Sequence, residues 1–354
     1  MNISVQTSEK TYEVMIQSGL MNQAGHYIEK IAPASRYLVV VDQQVVSYYL
    51  EAFLQTFHTA NVHVSVVPSG EQSKSFQQYE QLLNDCYAFG LDRSSVIIAF
   101  GGGVTGDLAG FVAGTYMRGI RFVQVPTTLL AHDSSVGGKV AINLAKGKNM
   151  VGLFHQPELV LYDPHLLQTL PDQEWRSGFA EIVKMGFIAD KDFLLWLKTE
   201  VSQLPIQDEK NLEYMIGKAV ALKADIVQQD EKEMGIRGIL NFGHTLGHAI
   251  EGEMGYGALT HGEAVAIGMA FALKVSEQKK DRDFSSSVYL DWLVSLGYRL
   301  AIPEVLKGDD LLSQMMKDKK ARHGTLNYVL LETVGNASIE AIDATELKTF
   351  FDQN

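Results

Sequence analysis

The 354-residue chain holds one cysteine, no long apolar run, no internal repeat and no low-complexity tract. One cysteine excludes an intrachain disulfide framework and suits a reducing compartment. That residue, Cys86, lies among Leu82, Leu83 and Tyr87 and reads as core filling. No apolar stretch approaches the roughly 20 residues needed to cross a bilayer. The opening Met1-Asn-Ile-Ser-Val-Gln6 lacks the basic-then-apolar order of a secretory leader, so a cytoplasmic location is expected. Positive charge is also in deficit, with 30 Lys and Arg against 42 Asp and Glu, a net charge of −12. A polyanion would be repelled, which argues against non-specific nucleic-acid binding. A small anionic ligand responds to the local field instead, so each cation has to be read by position. The apolar fraction of 46% is enough for sizeable cores.

Strand-like and helix-like runs alternate through the first half. Tyr37–Val41 is a short β-branched run, and Val62–Val67, Val96–Phe100, Arg121–Val125 and Leu159–Tyr162 read as further strands. Helical patterns follow the first two, and such alternation predicts an α/β layer around a mainly parallel sheet. Near Pro164 and Pro171 the character changes. Helical periodicity then dominates, for example over Gln173–Phe187, Leu212–Gln229 and Glu263–Lys279. The expected organisation is an α/β domain over residues 1–163 and a mostly helical domain over 164–354.

Gly101-Gly-Gly-Val-Thr-Gly106 fits G-x-G-x-x-G with a strand before it and a helix after it. That context suits a pyrophosphate at a helix N-terminus, although a ligand-free glycine turn fits the residues too. The fingerprint falls after the third predicted strand, whereas Asp42 ends the first. Asp42 can hold a ribose hydroxyl or cap a helix.

The second half brings histidines together. His244 and His248 are four apart and share one face if helical, and His261 follows thirteen positions later. Converging imidazoles indicate a divalent metal. Chance supplies about 0.3 such pairs in a chain of this composition, so the spacing alone does not decide. Glycines at 238, 243, 247 and 252 imply close approach by a backbone or a ligand. Glu181, three residues before Lys184 amid apolar neighbours, can complete a Glu-His-His set. Lys139 and Lys148 each adjoin glycine in what reads as polar loop, suited to a phosphate or carboxylate. Lys223, Arg237 and the Lys317, Lys319, Lys320 cluster add further cations.

A dinucleotide, a metal and many cations together suit oxidation of an anionic polyol. The motifs Gly101–Asp107, Pro126-Thr-Thr-Leu-Leu130, Asp133-Ser-Ser-Val-Gly-Gly-Lys139, Gly147-Lys-Asn149, Glu181-Ile-Val-Lys184, Asn241–His248 and His261-Gly-Glu-Ala-Val265 resemble, in order, those of 3-dehydroquinate synthase, a sugar-phosphate cyclase family. The resemblance runs from about residue 42 to 320. It implies NAD, zinc or cobalt, a homodimer, and an active site in the cleft between a Rossmann-like domain and a helical one. It implies conversion of 3-deoxy-D-arabino-heptulosonate 7-phosphate to 3-dehydroquinate on the shikimate route. The steps are transient oxidation by NAD, β-elimination of phosphate, re-reduction, ring opening and an intramolecular aldol.

Matched position by position, the resemblance assigns the metal to Glu181, His244 and His261. It turns His248 toward the substrate. NAD falls to Asp42, Glu71, Lys74, Gly102, Gly103, Val104 and Asp107. Thr127, Thr128, Leu130, Lys139, Lys148, Thr169, Leu170 and Glu174 complete that set. Substrate falls to Asp133, Lys139, Lys148, Asn149, Lys184, Lys223, Arg237, Asn241 and Lys319, with Arg118 reaching the neighbouring subunit's phosphate. Two stretches depart from the family pattern. The segment at His132 is one residue short, and Asn143-Leu-Ala-Lys146 replaces Asn-His-Pro-Leu. A related cyclase such as 2-deoxy-scyllo-inosose synthase, a metal-dependent polyol dehydrogenase and a non-enzymatic binder are the competing readings.

Overall fold

In the computed structural model, the described residues are 1–145, 147–255, 257–317, 321–322 and 325–351. They form two compact units. One comprises Met1–Leu170 with Asp208–Lys232, and the other Pro171–Gln207 with Glu233–Asn354.

The first unit is built on seven strands. In chain order they are β1 (Asn2–Gln6), β2 (Thr11–Ile16), β3 (Tyr37–Asp42), β4 (Val62–Val67), β5 (Val96–Gly101) and β6 (Arg121–Pro126). A separate hairpin, β7 (Lys139–Leu144) and β8 (Gly147–Phe154), precedes β9 (Leu159–Tyr162). The large sheet runs β1-β2-β9-β6-β5-β3-β4. All its pairs are parallel except β1 with β2. Alternation sends Tyr37, Val39, Val41, Val96, Ile98 and Phe100 into one core. Leu38, Val40, Ile97 and Ala99 enter another on the opposite face. Strands covered on both faces need apolar residues at every position, so these runs are continuous. Cys86 fills the second core, and burial pushes its thiol up to about 12. At neutral pH it is not a nucleophile.

The chain leaves β3 toward β4 on one side and returns to β5 on the other. The carboxyl ends of β3 and β5 therefore flank a topological switch point, where open α/β sheets bind their ligands.

Three features differ from the sequence-based expectation. The β1–β2 hairpin precedes the strand predicted as first. The stretch carrying Lys139 and Lys148, predicted as polar loop, is the β7–β8 hairpin. Val140, Ala141 and Ile142 there are buried, and Val140 and Ile142 join the core around the helix Gly103–Thr115. The helix Glu209–Gln229, predicted within the second domain, belongs to the first unit. It lies against β1, where a Cβ on Gly217 would come within 2.3 Å of Met1 Sδ, and Glu213 accepts from the Ser18 N–H at 2.7 Å.

The second unit is mostly helical. Its helices include Asp172–Ala189, Lys191–Glu200, His244–Met254, His261–Lys280 and Ser286–Ser295. A small antiparallel sheet, β10 (Ala321–Arg322), β11 (Thr325–Thr333) and β12 (Asn336–Asp343), completes it. Among the described residues no helix is long and apolar enough to cross a membrane.

Candidate active site

In the second unit three helices converge, and glycine lets them do so. A Cβ on Gly262 would sit 1.9 Å from the Ser177 carbonyl oxygen, and one on Gly268 would sit 1.9 Å from that of Gly243. Gly243 itself has φ +79°. Any side chain at 262 or 268 would push the backbones apart. Close approach at 243 and 247 is thus helix against helix, while Gly252 has open space around it.

That packing brings Glu181 of the helix Asp172–Ala189 to two imidazoles. Glu181 Oε1 lies 3.5 Å from His244 Nε2 and 3.7 Å from His261 Nε2. This oxygen is buried and has no hydrogen-bond partner among the described residues. Its sister Oε2 accepts from Lys184, and the two side chains are 1% and 2% exposed. The imidazoles are oriented from behind. His244 Nδ1 lies 3.2 Å from the Phe242 carbonyl oxygen, and His261 Nδ1 lies 3.0 Å from Glu251 Oε2. With Nδ1–H donating, each Nε2 lone pair is left for another atom. Burial, followed by Lys184 and the neighbouring imidazoles, holds His244 well below the ordinary imidazole range. One orphaned carboxylate oxygen and two prepared nitrogens fit a divalent cation.

A second grouping overlaps the first. Ligand atoms of His244, His248 and His261 all fall within 4.8 Å of one another, and His248 is exposed. Two triads thus share His244 and His261.

His261 opens its helix behind a capping box. Thr260 and Glu263 bond reciprocally, and Arg176 Nε reaches Glu263 Oε1 at 2.9 Å. Burial pushes Glu174 up, with Glu263 adding to the effect. Arg237 is 1% exposed, and Asn241 donates to Glu233 Oε1 at 2.9 Å.

In the first unit the glycine run joins β5 to the helix Gly103–Thr115 without a side-chain cap, which leaves its first N–H groups for a ligand. Val104 lies in that first turn. A Cβ on Gly102 would meet Thr128 Cγ2 at 2.9 Å, and one on Gly103 would meet Ser134 Oγ at 2.8 Å. Thr127 N–H donates to the Gly101 carbonyl at 3.0 Å, and Leu130 directly precedes the short helix Ala131–Ser134. Asp42 caps the turn after β3, accepting from Gln44 N–H at 2.8 Å and from Ser69.

Beside this run is a polar network. The Lys74 ammonium, 4% exposed, reaches Asp107 Oδ2 at 2.6 Å and also Asn149. Burial raises the Asp107 carboxyl while Lys74 opposes the rise. Asn149 has φ +55°, and its N–H donates to Asn143 Oδ1 at 2.8 Å. Asn143 Nδ2 in turn donates to Glu71 Oε1 at 2.8 Å. Lys223 meets Asp133 Oδ2 at 2.7 Å. Lys139 is exposed at the start of β7, and Lys148 is half-buried. Thr169 Oγ1 accepts from Tyr49 at 3.0 Å, one residue before Leu170 ends the segment. Arg118 is exposed and left-handed, with φ +69°. Lys319 and Lys320, with the side chain of Lys317, lie outside the described residues.

Residues 64–177 match the N-terminal 3-dehydroquinate synthase family model, and 178–321 match the C-terminal one. The 3-dehydroquinate synthase of Shouchella clausii (strain KSM-K16) is 57% identical over 97% of this chain and 96% of its own. The chain belongs to the 3-dehydroquinate synthase family. Its fold is that of the sugar-phosphate cyclases. A 2-deoxy-scyllo-inosose synthase structure with carbaglucose-6-phosphate, NAD+ and Co2+ superimposes with a TM-score of 0.89 at 28% identity, covering all of both chains. A 2-epi-5-epi-valiolone synthase from Streptomyces hygroscopicus subsp. jinggangensis 5008, with NAD+ and Zn2+ bound, gives 0.86 at 25% identity over 98% of each.

Three residues escaped the sequence reading: Glu251, Asn143 and Arg176. Glu251 had a signal, since seven positions from His244 places it on the same helical face. The other two had none, because Glu71 is 72 residues from Asn143 and Glu263 is 87 from Arg176.

Proposed function

We propose that this chain is a 3-dehydroquinate synthase. It takes a phosphorylated seven-carbon sugar acid, 3-deoxy-D-arabino-heptulosonate 7-phosphate, and releases phosphate as it forms the carbocycle. The observation that carries the reading is the pair of Nε2 atoms facing the buried, unpartnered Glu181 Oε1, in a chain 57% identical to a curated synthase.

Glu181, His244 and His261 hold the metal, zinc or cobalt. When bound, the metal supplies a Lewis acid and NAD supplies a hydride acceptor that gives the hydride back. The N–H groups of Gly102, Gly103 and Val104 would hold the pyrophosphate of NAD. Asp42 would take a ribose hydroxyl, and Glu71, Lys74, Asp107, Thr127, Thr128, Leu130, Lys139, Lys148, Thr169, Leu170 and Glu174 are the other residues assigned to NAD by the family resemblance. Lys184, Lys223, Arg237 and Lys319 hold the substrate's two anionic groups. Asp133, Asn149, Asn241 and His248 orient its hydroxyls and leaving phosphate. Several fixed cations are needed because charge develops at both ends of one small molecule. The enzyme works as a cytoplasmic homodimer, with the exposed, left-handed Arg118 reaching the neighbouring subunit's phosphate.

The test is to incubate the protein with this substrate, NAD and zinc while following phosphate and absorbance at the NADH band. Phosphate release without accumulating NADH is expected. Net NADH would mark a dehydrogenase, and neither signal would mark a binder. Glucose 6-phosphate in place of the sugar acid should release no phosphate, which separates this reading from an inosose-forming cyclase.

A further inference from the structure

Glu251 is a buried carboxylate on the helix His244–Met254, 6% exposed. It stands three residues after His248 and seven after His244, so it shares their face. Its Oε2 lies 3.0 Å from His261 Nδ1. The His261 side chain is 29% exposed, so packing alone does not fix its ring. His244 is only 12% exposed and is oriented by the main-chain carbonyl of Phe242. The two imidazoles thus face Glu181 by different means, and one depends on a side chain.

We propose that Glu251 is a positioning residue, fixing the His261 imidazole with its proton on Nδ1 and its Nε2 lone pair turned toward Glu181. The inference rests on the metal-centre reading above. A carboxylate at Nδ1 does two things. It selects the tautomer that puts the lone pair on Nε2, and it raises the ligand's basicity through its charge. A buried carboxylate needs hydrogen-bond donors, and the His261 Nδ1–H is one of them. The pairing therefore supports both partners.

The experiment compares wild type with Glu251→Gln, Glu251→Ala and His261→Ala. Co2+ is titrated into metal-free protein, affinity and the visible cobalt spectrum are recorded, and metal-free melting is measured separately. Removing an outer partner of a ligand histidine lowers metal affinity about 10- to 100-fold. Glu251→Ala should fall in that range with an altered cobalt spectrum. Glu251→Gln keeps an acceptor oxygen of similar shape without charge, so its affinity should lie between the two. If Glu251→Ala does not fold, the Gln variant carries the test through a weakened affinity at unchanged melting. Wild-type affinity and spectrum in the substituted protein, whatever its melting temperature, would overturn the proposal. If His261→Ala also binds cobalt like wild type, the metal-centre reading itself fails. If only the Glu251 variants do, the positioning role alone is lost.

Discussion

Asp42 and Gly101 end neighbouring parallel strands, and a Cβ added to Gly101 would lie 3.2 Å from Asp42 Cβ. The acid and the glycine run therefore share one corner of the sheet, at the switch point. Asp42 is engaged as a helix cap in addition to its proposed ribose contact. Asp42→Asn separates the two roles, because asparagine caps as well as aspartate. We expect unchanged melting with NAD affinity reduced several-fold in an equilibrium titration. Unaltered NAD affinity would confine Asp42 to capping.

The overlapping triads make opposite predictions for His248, whereas both need His261. With the ion on Glu181, His244 and His261, His248→Ala should retain one metal per chain while turnover collapses. His261→Ala should lose both. Metal analysis of the dialysed variants beside a phosphate-release assay decides it. Loss of metal from His248→Ala would favour the three-histidine group. An i,i+4 pair shares a face, but a shared face need not mean a shared ion.

Lys184 and Glu181 form a buried pair, and removing one partner of such a pair costs about 3–5 kcal/mol. Lys184→Met should therefore melt well below wild type when metal-free. Zinc should restore more stability to the variant than it adds to wild type, since a cation near Glu181 Oε1 offsets the missing ammonium. Melting curves with and without zinc test this. Equal zinc shifts in both proteins would place the ion away from Glu181. A loss of substrate turnover that zinc does not restore is expected as well.

How much of this was legible follows from burial. Strands β3 and β5 are covered on both faces, so each reads as a continuous apolar run. β1 exposes the polar Asn2, Ser4 and Gln6, and β8 holds Gly147, Lys148, Asn149 and Gly152. Composition there resembles loop, and only pairing with β2 and β7 makes strand. The helix Glu209–Gln229 was visible as a helix. Its periodicity marks an apolar face without naming what covers it, so its return to the first unit was not visible. In the site, His244, His248 and His261 stood out by spacing and Glu181 as a carboxylate amid apolar neighbours, while the choice among them came from the family resemblance. The Asn143 link to Glu71 and Asn149 joins residues spread over about 80 positions of chain, and no local pattern encodes it.

That link gives a fourth prediction. Asn149 holds a left-handed backbone, unfavourable for a side-chain-bearing residue by about 1–2 kcal/mol. Asn143 accepts from its N–H and donates to Glu71. Asn143→Ala removes both bonds, each worth about 0.5–1.5 kcal/mol. We expect a higher substrate KM together with weaker NAD binding, since Glu71 and Asn149 lose a common brace. An effect on KM alone would mean the two sides act independently.

His155 sets an acid limit on stability. Its Nε2–H donates to the Ile120 carbonyl at 2.8 Å, and its ring stacks on Phe122 with centroids 5.2 Å apart. Burial lowers its affinity for a proton below the ordinary value of 6.5, outweighing the Ile120 bond that opposes it. The unfolded chain then binds more protons than the folded one once pH falls below about 6.5, so stability drops with acidification through that window. The contribution is intact above the unfolded value and declines until the folded value is reached. His155→Gln keeps an N–H donor and removes the titration. Denaturant melts at pH 7.5 and 5.5 should show a smaller acid loss in the variant than in wild type. Equal losses would assign the acid sensitivity to other groups.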